Sequence, residues 1–275
     1  MNNNLIRKQL YDYGDLLVIQ SIIEHSTRSS LMPIYQKSVA YDKGNGSIVT
    51  DADLAMQASL TTALQSTYPE VAMLSEELET TAQIAAMTSK QDYWCLDPLD
   101  GTTNYHASLP LFSVSLALVS QSEVILGIVY DPLRGEFFSA IKNQGIWLNS
   151  IKIKLPQQPQ SLSQAVAFID FKRLPDPLRQ ALVCQPIYKS QRNIGSYALE
   201  WAWLAAGRGQ LIIHGCEKLW DYAAGCLLLA EAGGVSETHQ GEAVFIESLE
   251  PRSVIAASNS SLFQQWSNWL KIHCT

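Results

Sequence analysis

The stretch W-C-L-D-P-L-D-G-T-T-N, residues 94–104, constrains the fold of this 275-residue chain more than any other. An apolar run ends in two aspartates that are followed by a glycine and two threonines, and the stretch contains no lysine or arginine. Pro98 disfavours helical geometry at the residue before it, so we predict that Asp97 ends a buried strand. The turn that follows brings Asp100 back beside Asp97, where Asp100 is suited to cap a helix that begins near Gly101.

The backbone amides at the start of that helix favour binding of an anion. They lie at the positive end of the helix, and the glycine allows a ligand to approach the backbone closely. Carboxylates that hold a hard cation beside amides that hold a phosphate make a metal-phosphate site. Taken alone, however, D-P-x-D-G is also a common composition of a solvated turn, so other parts of the chain must decide between the two interpretations.

Two further acidic stretches favour the metal site. Ser75-Glu76-Glu77 ends a second apolar run, and Trp220-Asp221 opens a helical pattern. Each alone also fits a bland role, Glu76 as a surface acid and Asp221 as a helix N-cap. Yet no lysine or arginine occurs from residue 68 to 80 or from 220 to 251. Acids that converge without basic partners need a bound cation, because burying an unpaired charge costs several kcal/mol.

The donor types favour Mg²⁺ or Mn²⁺ over zinc, because carboxylate, carbonyl and water oxygens suit hard cations whereas zinc prefers nitrogen and sulfur. The five histidines are scattered singly, without an H-x-x-x-H pair, so we do not expect histidine catalysis. The five cysteines are odd in number and lack C-x-x-C spacing, which favours free thiols in a reducing compartment.

Composition narrows the class of protein. With 47% hydrophobic and 16% charged residues the chain can bury a substantial core, and its net charge of -7 with a pI near 5.2 argues against nucleic-acid or anionic-membrane partners. We find no signal peptide and no apolar run of about 18 residues that would cross a membrane. We therefore expect a cytoplasmic protein that binds neither nucleic acid nor membrane.

Helical and strand patterns interleave along the chain, which predicts a layered α/β (α+β) fold. The segment 41–50, Y-D-K-G-N-G-S-I-V-T, is rich in turn residues, and we predict a mobile loop there. P-Q-Q-P-Q-S-L-S-Q at 156–164 is the best linker candidate and divides one compact unit into an α+β half, 1–155, and an α/β half, 156–275. The other predicted elements are helices at 5–25, 52–66, 195–207 and 220–234, strands at 71–75 and 93–96, antiparallel strands across 111–141 with turns at 121–122 and 132–135, later strands at A-V-A-F-I-D, Q-L-I-I-H-G and S-V-I-A-A-S, and a terminal helix.

Three stretches together resemble the inositol monophosphatase family of Mg²⁺-dependent, lithium-sensitive phosphatases. They are S-E-E at 75–77, D-P-L-D-G-T-T-N at 97–104, and W-D-Y-A-A-G at 220–225 with E-A-G-G at 231–234. Weaker agreements at 49–53, 130–132, 145–149 and 192–196 extend the likeness over nearly the whole chain. The resemblance implies a layered αβαβα sandwich of the sugar and inositol phosphatase type. It also implies a homodimer, with Arg192, Trp201 and Trp203 as interface candidates.

The resemblance implies two to three Mg²⁺ ions, with Mn²⁺ as a possible substitute. Glu76, Asp97 and the Leu99 carbonyl would bind the first ion, and Asp97, Asp100 and Asp221 the second. Glu76 would reach a third ion through water. The loop residue Lys43 is a candidate helper there, although a solvated lysine fits that position equally well.

The resemblance also assigns the groups that would act on the phosphate. Gly101 and Thr102, with Thr103 beside them, would bind phosphate through their amides. Thr102, hydrogen-bonded to Asp53, would orient and deprotonate the attacking water, with Glu76 also near that water. On the substrate side the matching positions are Gly195, Ser196, His214 and Asp221.

Two positions depart from the inositol-type pattern. His214 stands where family members that prefer inositol phosphate place a glutamate, and Tyr197 replaces a small residue. We therefore expect a phosphomonoesterase that acts on a small polyol-type phosphate, with inositol 1-phosphate as the first guess. Histidinol phosphate, fructose bisphosphate and 3′-phosphoadenosine 5′-phosphate remain alternatives. A different class also remains open, a regulatory protein of the transcription or ribosome machinery, since some bacterial members of the family bind transcription components.

Overall fold

The computed structural model describes residues 12–42, 44, 48–155 and 158–273. Lys43 and the first part of the predicted N-terminal helix lie outside these ranges. Within them the α-helices are α1 Tyr13–Ser26, α2 Asp51–Thr67, α3 Thr80–Thr88, α4 Thr102–His106, α5 Asp176–Cys184, α6 Tyr197–Ala205, α7 Leu219–Glu231 and α8 Ser260–His273. The strands are β1 Ala40–Asp42, β2 Ile48–Thr50, β3 Ala72–Ser75, β4 Tyr93–Asp100, β5 Ser113–Ser120, β6 Glu123–Asp131, β7 Glu136–Ile141, β8 Gly145–Leu148, β9 Ile151–Lys152, β10 Val166–Ile169, β11 Ser190–Arg192, β12 Leu211–Glu217, β13 Val235–Glu237 and β14 Arg252–Ala257.

These strands form two large sheets and a hairpin. The seven-stranded sheet has the order β3-β4-β5-β6-β7-β8-β9, in which only the β3–β4 pair is parallel. The five-stranded sheet has the order β11-β10-β12-β14-β13, with β10 parallel to both of its neighbours. The turns predicted at 121–122 and 132–135 connect β5 to β6 and β6 to β7, as expected for antiparallel neighbours.

Three hydrophobic clusters show how the layers stack. Helices α1 and α2 pack on one face of the seven-stranded sheet, as Leu16 and Met56 share a cluster with Leu96. Helices α6 and α7 fill the space between the two sheets. Helices α5 and α8 cover the outer face of the five-stranded sheet, where Leu178 and Trp266 are buried. The order of layers is therefore αβαβα, which confirms the predicted fold class.

Close packing of α7 on the seven-stranded sheet depends on a glycine. A Cβ atom at Gly127 of β6 would lie 2.9 Å from the Ala224 carbonyl oxygen in α7, so a larger side chain would force the helix away. Since α7 also carries Asp221 in its first turn, this contact sets how near that carboxylate comes to the sheet.

One local prediction is wrong. The segment predicted as a mobile loop contains β1 and β2, which pair in antiparallel register from Ala40 with Thr50 to Asp42 with Ile48. The turn residues that suggested a loop are those between the two strands. The proposed division at residues 155 and 156 stays a prediction. No helix in the described ranges combines the length and the apolar character needed to cross a bilayer.

Candidate metal and phosphate site

Strand β4, the second strand of the seven-stranded sheet, runs further than its apolar residues suggested. It continues through Asp100, with Asp97 opposite Ser115 and Asp100 opposite Ser113, and the register is irregular between these two pairs. Asp97 therefore does not end the strand. Asp100 does not cap the helix either, since the N-cap of α4 is Gly101. Backbone pairing with β5 extends the strand, and the irregularity sets the relative positions of the two aspartates.

Three carboxylates that are far apart in sequence meet beside β4. Oxygens of Asp97, Asp100 and Asp221 lie within 4.8 Å of one another, and the three residues are only 2%, 7% and 8% exposed. Asp221 comes from the first turn of α7, where its Oδ2 accepts a hydrogen bond of 2.7 Å from the Lys218 amide. Within the described residues, no ion pair joins these carboxylates to a lysine or arginine.

The environment of the cluster opposes ionisation of its members. Burial, and then the charges of Glu76, Asp100 and Asp221, hold the pKa of Asp97 well above its usual range. Burial, Asp100, Glu76 and Glu217 do the same to the pKa of Asp221. Burial raises the pKa of Asp100 to about 6 despite the hydrogen bonds that stabilise its charged form. Such a cluster is stabilised by a cation, and its all-oxygen donors fit Mg²⁺ or Mn²⁺.

Asp100 is held by donors from the segment that begins α6. Its oxygens accept hydrogen bonds from the Ser196 hydroxyl at 2.5 Å and from the amides of Tyr197 at 3.2 Å and Ala198 at 2.8 Å. The Ser113 hydroxyl adds a contact of 3.3 Å. Ser196 was predicted on the substrate side, but its side chain is fully buried and donates to Asp100. In this structure it orients a carboxylate.

Gly101 and Gly195 lie in close contact beside the cluster. Gly101 has a φ of 93°, and a Cβ there would lie 3.1 Å from the Leu111 carbonyl oxygen and 3.2 Å from that of Gly195. Only glycine fits both the left-handed backbone and the contact. Asn104 fastens the same loop, because its Nδ2 donates to the Ile194 carbonyl at 2.6 Å.

Thr102 and Asp53 are hydrogen-bonded, as the resemblance implied. The Thr102 hydroxyl lies 2.9 Å from Asp53 Oδ1 and 3.0 Å from the Leu99 carbonyl oxygen. The Thr50 amide and hydroxyl donate to the other Asp53 oxygen at 2.7 and 2.5 Å. Burial raises the pKa of Asp53, although these hydrogen bonds oppose the shift. The catalytic roles of the pair stay a prediction.

Glu76 approaches from the neighbouring strand. It follows β3, and its amide donates to the Leu96 carbonyl at 3.1 Å, which continues the parallel pairing with β4. Its charge raises the pKa of Asp97, so the two carboxylates interact electrostatically. The structure thus places Glu76 close enough to act electrostatically on the cluster, but not in the group of carboxylates within 4.8 Å of one another, and its ligand role stays a prediction. Thr103, the residue of α4 that follows Thr102, is exposed.

Sequence reasoning missed a second acidic cluster behind the site. His214 is fully buried, and its Nε2 lies 2.7 Å from Glu200 Oε2 while its Nδ1 contacts Glu217 Oε1. Burial lowers the pKa of His214, but Glu217 and Glu200 outweigh that effect and raise it to about 10. Trp201 Nε1 donates to the remaining Glu217 oxygen at 2.9 Å. The sequence did contain one signal for this cluster, the single glutamate in the apolar helix pattern Y-A-L-E-W-A-W-L-A.

The proposed interface residues have different surroundings. Trp201 is fully buried in the core, so it is not available to a second subunit. Trp203 is partly buried between two guanidinium groups, with the Cζ atoms of Arg134 and Arg208 at 5.2 and 5.7 Å from its ring. Arg192 is exposed. The homodimer stays a prediction.

The protein is an αβαβα sandwich with a carboxylate cluster beside the start of a helix. The sequence resemblance implied a protein of this class. The chain belongs to the inositol monophosphatase family, whose model matches residues 19–270. This confirms the family predicted from the three acidic stretches.

Individual relatives agree with this assignment. The Nus factor SuhB of Escherichia coli strain K12 is 32% identical over 207 residues, which cover 74% of this chain and 76% of that protein. The extragenic suppressor protein SuhB of Bartonella henselae has the same fold, with a TM-score of 0.81, 26% identity and coverage of 93% and 98% of the two chains. A 2′-AMP-bound SaIMPase-II structure matches with a TM-score of 0.78, 25% identity and 92% coverage of each chain.

Proposed function

We propose that this protein is a Mg²⁺-dependent phosphomonoesterase that acts on a small phosphate ester. The observation that carries the proposal is the group of three buried carboxylates within 4.8 Å of one another, to which no described lysine or arginine is ion-paired. Retaining this arrangement in the apo protein costs stability, because burial and mutual repulsion raise the pKa values of all three groups. Membership of the inositol monophosphatase family supports the same conclusion.

The group of Asp97, Asp100 and Asp221 fits a divalent ion, and we include in the proposal the two to three ions that the resemblance implies. Glu76, Asp97 and the Leu99 carbonyl would hold one ion, and the buried oxygens of Asp97, Asp100 and Asp221 would hold a second. When bound, Mg²⁺ supplies positive charge for the phosphate oxygens and lowers the pKa of a coordinated water. Mn²⁺ is suited to the same oxygen donors.

The chain's own groups then bind phosphate and handle the proton. We assign the amides of Gly101 and Thr102 to the phosphate oxygens, because the resemblance implies this role and both residues lie at the start of α4. The Thr102 hydroxyl directs its hydrogen to Asp53 or to the Leu99 carbonyl, so its oxygen lone pairs are able to accept a hydrogen bond from the attacking water. Asp53 is the final acceptor of the proton that leaves this water, because burial raises the pKa of Asp53.

The substrate is a small phosphate ester, and inositol 1-phosphate is the first one to test. Histidinol phosphate, fructose bisphosphate and 3′-phosphoadenosine 5′-phosphate complete the panel. The 2′-AMP in the SaIMPase-II structure shows that a nucleotide monoester binds to a protein of this fold. Cytoplasmic location and a homodimer remain part of the proposal.

Phosphate release from this panel tests the function. With Mg²⁺ we expect turnover of at least one ester, inhibition by lithium and loss of activity in EDTA. Asp100→Asn should lower kcat at least about 100-fold, because it removes a charge from the group that holds the metal. Glu250→Gln, which removes an exposed charge, is the matched control. Absence of Mg²⁺-dependent release from every ester, or full turnover by Asp100→Asn, would refute the proposal.

A second candidate is a regulatory function. It is favoured by the SuhB relatives that are named Nus factors, and for this reason the expected absence of nucleic-acid partners finds no support in the comparisons. Deleting the gene and complementing it with Asp100→Asn separates the two functions. Complementation by this variant, together with co-purification of RNA polymerase subunits, would favour regulation. Failure to complement would favour the enzyme.

A further inference from the structure

Arg173 lies near the carboxylate cluster, over the ring of Tyr197, whose amide donates to Asp100. Arg173 follows β10, and a neighbouring glycine lets its backbone approach β12. A Cβ on Gly215 would lie 1.9 Å from the Arg173 carbonyl oxygen, so no other residue permits this contact without a backbone shift. The close approach brings the segment after β10 against the end of β12, only a few residues before Asp221.

The Arg173 side chain is held but not covered. Nη1 donates to the Cys216 carbonyl at 2.9 Å, Nε lies 4.0 Å from Asp170, and Cζ is 5.8 Å from the centre of the Tyr197 ring. The side chain keeps 42% of its surface exposed. Within the described residues no hydrogen bond engages Nη2. The guanidinium is therefore oriented in advance, with donors left for a ligand.

Tyr197 connects this arginine to the carboxylate cluster. Its amide donates to Asp100 at 3.2 Å, and its hydroxyl donates to Asp170 at 2.5 Å. Its ring lies 4.6 Å from that of His214. Tyr197, whose ring contacts Arg173, is thus hydrogen-bonded to Asp100, a predicted metal ligand. Burial lowers the pKa of Arg173, but Tyr197, Cys216, Asp170 and, last, Asp221 outweigh it and raise that pKa, so the guanidinium interacts electrostatically with the cluster.

The region around Arg173 and Tyr197 lacks the carboxylate that the inositol-type pattern would supply. His214 occupies that position, and it is fully buried beneath Tyr197. The two nearby glutamates, Glu200 and Glu217, are both bonded to His214 and are themselves buried. A substrate in this region therefore meets a cation, which favours anions, in place of an acid that would accept hydrogen bonds from sugar hydroxyls.

We propose that Arg173 is a specificity-determining residue, and that it selects phosphate monoesters whose alcohol part carries a second anionic group, a phosphate or a carboxylate. The inference rests on the proposed phosphatase function and narrows its substrate class. A guanidinium binds either anion through paired N–H groups. Asp170 offsets only part of the Arg173 charge, since its Oδ2 lies 4.0 Å from Nε and also accepts a hydrogen bond from Tyr197.

Two matched substrate pairs test the proposal. Fructose 1,6-bisphosphate against fructose 1-phosphate adds a second phosphate, and 2-phosphoglycerate against glycerol 2-phosphate adds a carboxylate. We expect kcat/KM to be about tenfold higher for the doubly anionic member of at least one pair, the size of one charge-assisted contact. The pair that shows the preference identifies which anion is recognised.

Variants then locate the preference. Arg173→Gln should lower kcat/KM on the preferred doubly anionic ester about tenfold more than on its partner, mainly through KM, and Arg173→Lys should recover part of the difference. Lys172→Gln removes the neighbouring exposed charge and should leave the ratio unchanged.

Equal kcat/KM within both pairs, or an unchanged ratio in Arg173→Gln, would overturn this inference while Mg²⁺-dependent turnover still supports a phosphatase. If no ester of any pair or panel is hydrolysed, the proposed function fails and this inference fails with it.

Discussion

The two buried acidic clusters of this protein differ in where their positive charge comes from. Around His214, two glutamates are fully buried, and the imidazolium between them supplies the opposite charge. Beside β4, Asp97, Asp100 and Asp221 are almost as deeply buried but have hydrogen bonds without an ion-paired lysine or arginine among the described residues. The first cluster therefore has a cation of its own within the chain. The second needs a partner from solution, so burial of acids alone does not distinguish a structural cluster from a binding site.

The largest expected effect comes from removing the histidine. His214→Ala leaves Glu200 and Glu217 buried without their cation, which should lower the free energy of unfolding by about 3–5 kcal/mol. Urea unfolding in EDTA measures this change. His25→Ala, at an exposed site, is the control and should change stability little. A loss below about 1 kcal/mol would show that the cluster around His214 is not held together by charge.

Removing one charge from the cluster beside β4 should have the opposite effect and raise the free energy of unfolding. Asp97→Asn keeps the shape and the oxygen that accepts from the Leu99 amide, yet it relieves repulsion with Asp100 and Asp221. We expect the metal-free variant to be more stable than the wild type by about 1–3 kcal/mol, and to gain less stability from added Mg²⁺. Differential scanning calorimetry with and without Mg²⁺ tests both expectations. Lower stability in EDTA would contradict a cluster that lacks a cation.

The last prediction concerns pH, and a change of a few kcal/mol is expected in each of two pH windows. The pKa of Asp100 is raised to about 6, so the folded metal-free protein binds its proton more tightly than the unfolded chain does, and stability should fall as pH rises from about 4 to 6. The pKa of His214 is raised to about 10, so its contribution should be complete below about pH 6.5 and lost as pH rises towards 10. Unfolding at closely spaced pH values in EDTA separates the windows. Saturating Mg²⁺ should abolish the acidic one and leave the alkaline one.

The sequence predicted the fold and the approach of the acids better than it predicted local geometry. The order of helical and strand patterns, together with the family resemblance, gave the αβαβα class, because apolar periodicity reports which faces are buried. The meeting of Asp97, Asp100 and Asp221 was predicted from the lack of lysine and arginine near these acids and from the family resemblance. The prediction for segment 41–50 was wrong, because the residue types that form a turn between two short strands are the same as those that form a loop.

Other features depended on contacts that no local pattern reports. The extension of β4 through Asp100 comes from pairing with β5, a partner distant from the acidic residues. Ser196 seemed to face a substrate, but the fold turns its hydroxyl to Asp100. His214 occupied a family position for substrate contact, and only the packing of Glu200 and Glu217 around it explains its burial. Tertiary neighbours decided each of these side-chain roles.

The position of β4 as an interior strand has a consequence for how the protein would sense its ionic surroundings. Two predicted ligands lie on a strand that pairs on both sides and is covered by helices on both faces, so they belong to the part of the fold that we expect to open last. Chelation would act on the whole cooperative unit and behave as a mild denaturant. Divalent-ion supply would thereby govern the lifetime of the folded chain along with its chemistry.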